Sequence, residues 1–248
     1  VIEIAPAANL DPALRAQILA DALTLVSGAN YCNAGTVEFL IEPSTGDYFF
    51  IECNPRIQVE HTITEQVMGT DLVQVQFRVA MGESLASLGL GDQAAVGEPR
   101  GWSVQARVVA TGTGTITGYR EPSGPGVRVD GAGYAGWSPP PQFDPLLAKV
   151  IVTTNGGTHE AAIDNARRAV HRFHIGGLAT NLGQLNAILA HDAVRSGDAR
   201  TTLLANEPGL TAAAAVASPM IVMLESQVGQ PASAGAPGPA APTRSLPL

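Results

Sequence analysis

Lysine is nearly missing from this chain of 248 residues: thirteen of its fourteen basic residues are arginines, and Lys149 is the single lysine. A function that needs two lysines is therefore outside what this sequence can perform. Basic runs are missing as well. With a formal net charge of -8 and no Lys/Arg cluster to neutralise a phosphate backbone, the chain carries no nucleic-acid footprint. Cysteine is scarce: Cys32 and Cys53 are the only two, neither at metal-ligand spacing, so a reducing, cytoplasmic setting is the expectation. No apolar stretch is long enough to span a bilayer and no secretory leader is visible, so no membrane partner is expected. What is abundant is apolar: at 45% hydrophobic residues the chain can bury one large core or two modest ones.

Punctuation divides the chain. Asp11-Pro12 is a helix start, with Asp as N-cap and Pro at the first helical position, and Gly28 is its stop. The segment GTVEFLIEPSTGDYFFIECN holds two strand-like runs joined by PSTGD, which predicts an antiparallel hairpin. A second amphipathic helix follows Asp71 and ends near Gly82. Residues 86–99 lose periodicity and read as a connection. Beyond it, WSVQARVVA, TGTITGYR, GVRVDG and AKVIVTT predict an antiparallel sheet, followed by helices after Thr158 and Thr180. From Pro208 to Leu248 Ala, Pro, Gly and Ser dominate, the signature of a tail without a packed core of its own.

The stretch FIECNPRIQVEH, residues 50–61, crowds Glu52, Asn54, Arg56, Gln58, Glu60 and His61 together. A hairpin turning about Thr45 sets Glu38 opposite Glu52, Leu40 opposite Phe50 and Thr36 opposite Asn54. Val37, Phe39, Ile41, Phe49, Ile51 and Cys53 then form one apolar face, read as core, where Cys53 acts as a small hydrophobe. The opposite face gathers Glu38, Glu52 and Asn54, continued by Arg56, Gln58 and Glu60 if the chain stays extended. Two carboxylates facing each other repel unless a cation compensates, and oxygen ligands of this type suit Mg²⁺. A glutamate pair can also be merely solvated. Asn54 and the polar series after it weigh against that reading. His61, with no second His or Cys at ligand spacing, reads as a structural hydrogen-bonding residue.

The stretch FIECNPRIQVEHTITEQVMGTDLV resembles the signature of the biotin carboxylase family, including the biotin carboxylase parts of acetyl-CoA, propionyl-CoA and pyruvate carboxylases. The similarity extends through VIEIAPAANLDPALR, NAGTVEFL, EPSGPGVRVDG, YAGW, FDPLLAKVIV and IGGLATN, roughly the first four fifths of the chain. It implies an α+β fold: the C-terminal part of an ATP-grasp domain (1–85), the connection (86–99), a β-rich biotin carboxylase C-terminal domain with flanking helices (100–207), and the tail (208–248). The family uses ATP to phosphorylate bicarbonate and carboxylates biotin with the product. By resemblance Glu38, Glu52 and Asn54 match ligands of Mg²⁺ or Mn²⁺, in agreement with the hairpin argument. Arg56 matches the catalytic arginine and Glu60 the base that takes the bicarbonate proton. Gln58 and the backbone of Val59 match positions around bicarbonate, Arg128 the second arginine beside bicarbonate and biotin, and Leu40 a position near the adenine of ATP.

The sequence also departs from that pattern. It opens on Val1, after the family's lead-in, and the N-terminal α/β domain and the Gly-rich lid with its phosphate-binding lysines are not in it. Lys149, in the apolar run LLAKVIV, has a structural role rather than theirs. The acidic, Asn-rich loop expected after QARVVA is shortened. SPMIVMLESQVGQ resembles the opening of a biotinyl carrier domain, but no Met-Lys-Met type attachment site follows, so biotin is expected on a separate carrier. The resemblance thus implies a fragment of a biotin carboxylase, inactive alone, whose partners are a biotin carboxyl carrier protein or domain, a carboxyltransferase and a second copy in a homodimer. The rival readings are another ATP-grasp ligase, against which QVEH and GPGVRVDG speak, and a non-catalytic carrier-docking or assembly module.

Overall fold

The computed structural model describes residues 1–212. In chain order its elements are β1 (Ile2–Ala5), α1 (Pro12–Gly28), β2 (Thr36–Ile41), β3 (Tyr48–Asn54), α2 (His61–Met68) and α3 (Leu72–Ala80). A 3-10 turn at Ala86–Leu88 and α4 (Gln93–Val96) lie within the expected connection. Then come β4 (Trp102–Val109), β5 (Gly118–Arg120), β6 (Val127–Gly131), β7 (Leu146–Thr154), α5 (His159–Arg172), β8 (His174–Gly176), α6 (Leu182–Ala190), α7 (Asp192–Arg195), α8 (Leu203–Asn206) and α9 (Pro208–Ala212). Helix and sheet are mixed, as an α+β fold requires.

The helix starts follow the sequence signals. Asp11 accepts from the backbone N–H groups of Ala13 and Leu14, Asp71 from Gln74 and Thr158 from Ala161, each satisfying a donor that the first turn leaves free. Asn181 stands at the start of α6 but makes no capping bond. Its amide instead brackets β4, accepting from Val109 N–H at 2.8 Å and donating to the Arg107 carbonyl at 2.9 Å.

Strands β1, β4, β7 and β6 form one antiparallel sheet in that order. The participation of β1 was not legible, because a four-residue strand carries no record of which distant strand it will join. The two faces of the sheet differ in chemistry. Along β4 the even positions Val104, Ala106 and Val108 point into the core with Ala148, Val150 and Val152 of β7. Helices α5 and α6 cover that face through Ala162, Ile163, Val170, Leu185 and Leu189, and Leu210 of α9 joins the same cluster. Each valine, isoleucine or leucine among them contributes about 1.5–3 kcal/mol on burial. Residues 213–248, with the carrier-like SPMIVMLESQVGQ, lie outside the described residues.

The other face is largely polar, with Ile151 of β7 buried between Gln105 and Arg128. Strand alternation puts Ser103, Gln105 and Arg107 of β4 on it, with Glu3 of β1, Lys149 and Thr153 of β7, and Arg128 and Asp130 of β6 at the paired positions. Helix α2 lies over it. Thr62 and Gln105 are fully buried, and burial of polar groups is tolerable only when they are bonded. They are. The Thr62 hydroxyl donates to Gln105 Oε1 at 2.7 Å, Gln105 Nε2 donates to Glu3 at 2.9 Å, and Lys149 Nζ donates to Thr62 at 2.9 Å. Lys149 also pairs with Asp130 at 3.1 Å. The structural role expected for the single lysine is the one it has here.

The hairpin holds with one correction. Thr36 faces Asn54 and Glu38 faces Glu52, but a bulge follows, so Leu40 faces Phe49 rather than Phe50 and Phe39 faces Phe50. An extra residue in one strand shifts everything beyond it by one, which no residue count from the turn can reveal. Tyr48 and Phe50, not Phe49, therefore share the face of Phe39, with ring centroids 5.8 and 6.2 Å from it. That face is not a core. Phe50 is 52% exposed, Ile51 54%, and Cys53 is exposed, because β2 and β3 form a sheet of two strands with little set over them. The link to α1 is the Tyr48 hydroxyl, which donates to Asp21.

Candidate functional site

Cross-strand pairing at Glu38 and Glu52 brings two carboxylates onto one rung of the hairpin, and the structure shows how they tolerate each other. The Asn54 amide donates to Glu38 Oε1 at 2.9 Å and to Glu52 Oε1 at 2.8 Å. Gln58 Nε2 adds a third bond, to Glu38 Oε1, at 2.9 Å. Shared amide donors supply the positive end that two facing carboxylates require. No group of three or more His, Cys, Asp or Glu suited to a metal occurs among the described residues. Two carboxylates and an amide nonetheless fit a hard divalent ion, since turning the Asn54 amide over presents Oδ1 beside the two carboxylates, and such ions keep water and phosphate oxygens as their remaining ligands.

The strand does not continue through Arg56, Gln58 and Glu60. It ends at Asn54, Pro55 follows, and the Arg56 N–H turns back to the Asn54 carbonyl at 2.8 Å. Proline offers no N–H for a ladder, and the chain turns into α2, a helix that no Ser, Thr, Asp or Asn cap announces in the sequence. The consequence is a separation. Gln58 returns to Glu38, whereas the Arg56 guanidinium is exposed and, among the described residues, donates to the Ile57 carbonyl at 3.3 Å. The Val59 carbonyl accepts from Lys149 Nζ and from the Thr62 hydroxyl, each at 3.4 Å. His61 contacts the Gln58 carbonyl through Nδ1 at 2.6 Å, the structural bond expected of it.

Glu60 is the N-cap residue of α2, yet its carboxylate makes no capping bond. It accepts from Arg107 on β4 at 2.9 Å, and Arg107 Nε lies 2.7 Å from Glu3. Glu3 and Arg107 were missed in the sequence. The available signal was the alternation Ser103, Gln105, Arg107 along β4, a polar stripe on a strand whose other face is wholly apolar.

Arg128 reaches a third place. On β6 its Nε and Nη2 donate to both oxygens of Asp130 at 2.7 and 3.1 Å, and its Nη1 lies 3.4 Å from the buried Glu65 of α2. With His61, Glu65, Gln66 and Asp71 it lines a cleft of about 400 Å³. The backbone is fitted to this purpose at Gly126: its φ is +71°, and a Cβ there would lie 2.2 Å from the Thr153 carbonyl oxygen. Only glycine lets β6 approach β7 so closely just before Arg128.

The ion pairs of Asp130 set a pH dependence. Burial pushes its carboxyl up, but hydrogen bonds from Arg128 and Lys149 outweigh it and hold the group below its ordinary value. A depressed carboxylate contributes stability that is present above its unfolded pKa, roughly 3.9, and is lost as pH falls through the lower folded value. The thermal midpoint followed by circular dichroism should therefore be insensitive to this group at neutral pH and fall below about pH 4. Asp130→Asn should flatten that acid limb; an unchanged limb would remove Asp130 as its source.

Comparison with known proteins extends these observations. Residues 1–88 match the carbamoyl-phosphate synthase L chain ATP-binding domain, and residues 105–206 match the biotin carboxylase C-terminal domain. A pyruvate carboxylase of Pichia angusta is 43% identical over 219 residues, covering 85% of this chain and 18% of that protein. The biotin carboxylase domain of a single-chain bacterial carboxylase superposes with a TM-score of 0.81 at 42% identity, over 85% of this chain and 50% of the other. The biotin carboxylase domain dimer of the Hydrogenobacter thermophilus 2-oxoglutarate carboxylase, in complex with MgADP, ADP and bicarbonate, gives 0.78 at 33% identity, over 85% and 46%. The chain thus spans about a fifth of the curated relative and about half of the solved domains. With both halves of its described sequence matched and the fold shared, this chain belongs to the biotin carboxylase family.

Proposed function

We propose that this chain provides the metal-binding hairpin and the biotin-side arginine of an ATP-dependent biotin carboxylase, part of an acyl-CoA or pyruvate carboxylase. The observation that carries the proposal is the shared rung of Glu38 and Glu52, bridged by Asn54 and supported by Gln58, within a family whose relatives include a domain in complex with MgADP and bicarbonate. Glu38, Glu52 and Asn54 would hold Mg²⁺ or Mn²⁺. The ion's chemistry there is to neutralise charge on the ATP phosphates during transfer to bicarbonate. Leu40, exposed on the same hairpin face, supplies an apolar contact for the adenine.

In this reading Glu60 removes the bicarbonate proton, so that the oxygen attacks the γ-phosphorus and ADP leaves. Carboxyphosphate then breaks into CO₂ and phosphate, the phosphate takes the N1′ proton of biotin, and the deprotonated N1′ attacks CO₂ to give carboxybiotin. Gln58 and the Val59 backbone orient bicarbonate. Arg56, fixed in charge and exposed with its guanidinium at the Ile57 carbonyl, is available to hold an anionic carbonate. Arg128 stabilises the biotin-side anion. Biotin arrives on a separate carrier protein or domain, the product passes to a carboxyltransferase, and the complete enzyme is a homodimer. The 248 residues alone are inactive, since they span about half of a solved biotin carboxylase domain. The setting is a reducing one, cytoplasmic by the same cysteine argument.

The test is metal dependence in a complete biotin carboxylase domain carrying this sequence. Glu38→Gln should raise the Mn²⁺ concentration needed for half-maximal bicarbonate-dependent ATP cleavage by about 10-fold or more, given that even indirect partners of a metal matter on that scale. An unaltered Mn²⁺ titration would rule Glu38 out as a ligand.

A further inference from the structure

Asp130 has no part in the reaction as assigned above, yet it meets two of the chain's cations at once. Arg128 and Asp130 stand two residues apart on β6, so strand alternation puts both side chains on the sheet face that α2 covers. The two carboxylate oxygens of Asp130 take one edge of the Arg128 fork, Nε donating to Oδ1 at 2.7 Å and Nη2 to Oδ2 at 3.1 Å. Glu65 of α2 holds the same fork more loosely, 3.4 Å from Nη1. Directly across from Asp130 on β7 is Lys149, whose Nζ lies 3.1 Å from Asp130 Oδ2. That ammonium also donates to the Thr62 hydroxyl at 2.9 Å and to the Val59 carbonyl at 3.4 Å. Its side chain is 11% exposed, against 40% for Arg128. The mobile cation is thus tied through Asp130 to the fixed one, and through it to the turn that carries Val59.

We propose that Asp130 is a positioning residue that sets the direction of the Arg128 guanidinium toward the biotin-side anion, a role that rests on the reading of Arg128 as the biotin-side arginine. A half-exposed arginine on a strand has many rotamers open to it. A two-point bond to one carboxylate fixes the plane of the fork as well as its place, which a single hydrogen bond does not do. Glu65, at one arm, would leave the plane free to turn. The bonds to Asp130 and Glu65 leave one N–H on each terminal nitrogen for a ligand in the cleft that Arg128 lines. Lys149 completes the device. An aspartate paired with one cation can follow it as it swings, whereas Asp130 is held between two cations on neighbouring strands. Positioning of this kind carries much of a catalytic step, as misplacing a reacting group by about 1 Å costs on the order of 10²-fold.

The experiment is a double-mutant cycle on a complete biotin carboxylase domain carrying this sequence, with free biotin as acceptor, reading the carboxybiotin formed per ADP released. That ratio does not depend on how much of the protein is folded, so it separates positioning from stability. Asp130→Asn, nearly isosteric, offers the fork one oxygen in place of two and should lower the ratio by about 10-fold, with KM for ATP within about twofold of the parent. Combined with Arg128→Ala it should cost no more than Arg128→Ala alone, since a positioning residue then has nothing left to position. Asp130→Glu, which keeps both oxygens, should recover part of the lost ratio. Should the asparagine variant unfold, the glutamate variant decides: a ratio below the parent's supports the role, and a parental ratio overturns it. Additive losses in the cycle, or equal losses of carboxybiotin and ADP, also overturn it. If Arg128→Ala itself keeps the parental ratio, the reading of Arg128 fails; if that variant loses it while Asp130→Asn matches the parent, only the role of Asp130 fails.

Discussion

Glu60→Gln in a complete biotin carboxylase domain carrying this sequence is expected to lower bicarbonate-dependent ATP cleavage by about 10²-fold or more, the usual scale for removal of a general base. The substitution is nearly isosteric and removes only the ability to accept a proton. It leaves the fold intact for a reason visible in the ion pairs. Arg107 loses one anionic partner but keeps Glu3 at 2.7 Å, and the amide oxygen of Gln can still accept from its Nη2. No guanidinium is left unpaired in a half-buried place, the condition under which such changes become costly. Single-turnover ATP cleavage, measured beside the thermal midpoint, separates chemistry from stability. A variant that melts like the parent and cleaves ATP at the parental rate would withdraw Glu60 from the mechanism.

Arg128→Ala should divide the two half-reactions. Carboxybiotin formation is expected to fall by about 10²- to 10³-fold, the scale for losing a donor to a developing anion, while bicarbonate-dependent ATP cleavage stays within about 10-fold of the parent. The partners of Arg128 make this a probe of function more than of folding. Without it, Asp130 keeps Lys149 at 3.1 Å, and Glu65 keeps the Leu72 backbone N–H at 2.9 Å. Neither carboxylate is stranded. Arg128 lines the cleft beside α2 and does not touch the Glu38–Glu52 rung through any of its ion pairs. Assaying both activities on one preparation decides the matter, and equal collapse of the two would contradict the division.

Local elements were legible where one residue's chemistry suffices to set them. Asp11-Pro12, Asp71 and Thr158 each begin a helix because a short polar side chain before a helical run accepts from the first turn. The facing glutamates match a count centred on Thr45 because the extra residue of the bulge lies between the turn and their rung and offsets a turn centre that sits slightly earlier than Thr45. Leu40 lies between the turn and that extra residue, where nothing offsets the difference, and its partner was misassigned for this reason. The exposure of Phe50 and Cys53 was not legible either, since alternation shows that a face is apolar and cannot show whether anything covers it.

The sequence by itself determined the α+β character, the hairpin with its two opposed carboxylates, the structural part of Lys149 and, through FIECNPRIQVEH and GPGVRVDG, the biotin carboxylase family. These are properties of neighbours along the chain, where spacing of a few residues fixes geometry through strand alternation and capping. Only the tertiary structure decided that β1 joins β4, that α2 covers a polar sheet face, and that Arg107 links Glu3 to Glu60. Those contacts join residues 43 to 104 positions apart, and which polar side chains meet at such range depends on the strand order of β1, β4, β7 and β6. Burial then fixes them: Gln105 and Thr62 are closed to bulk solvent and must bond to each other and to their neighbours.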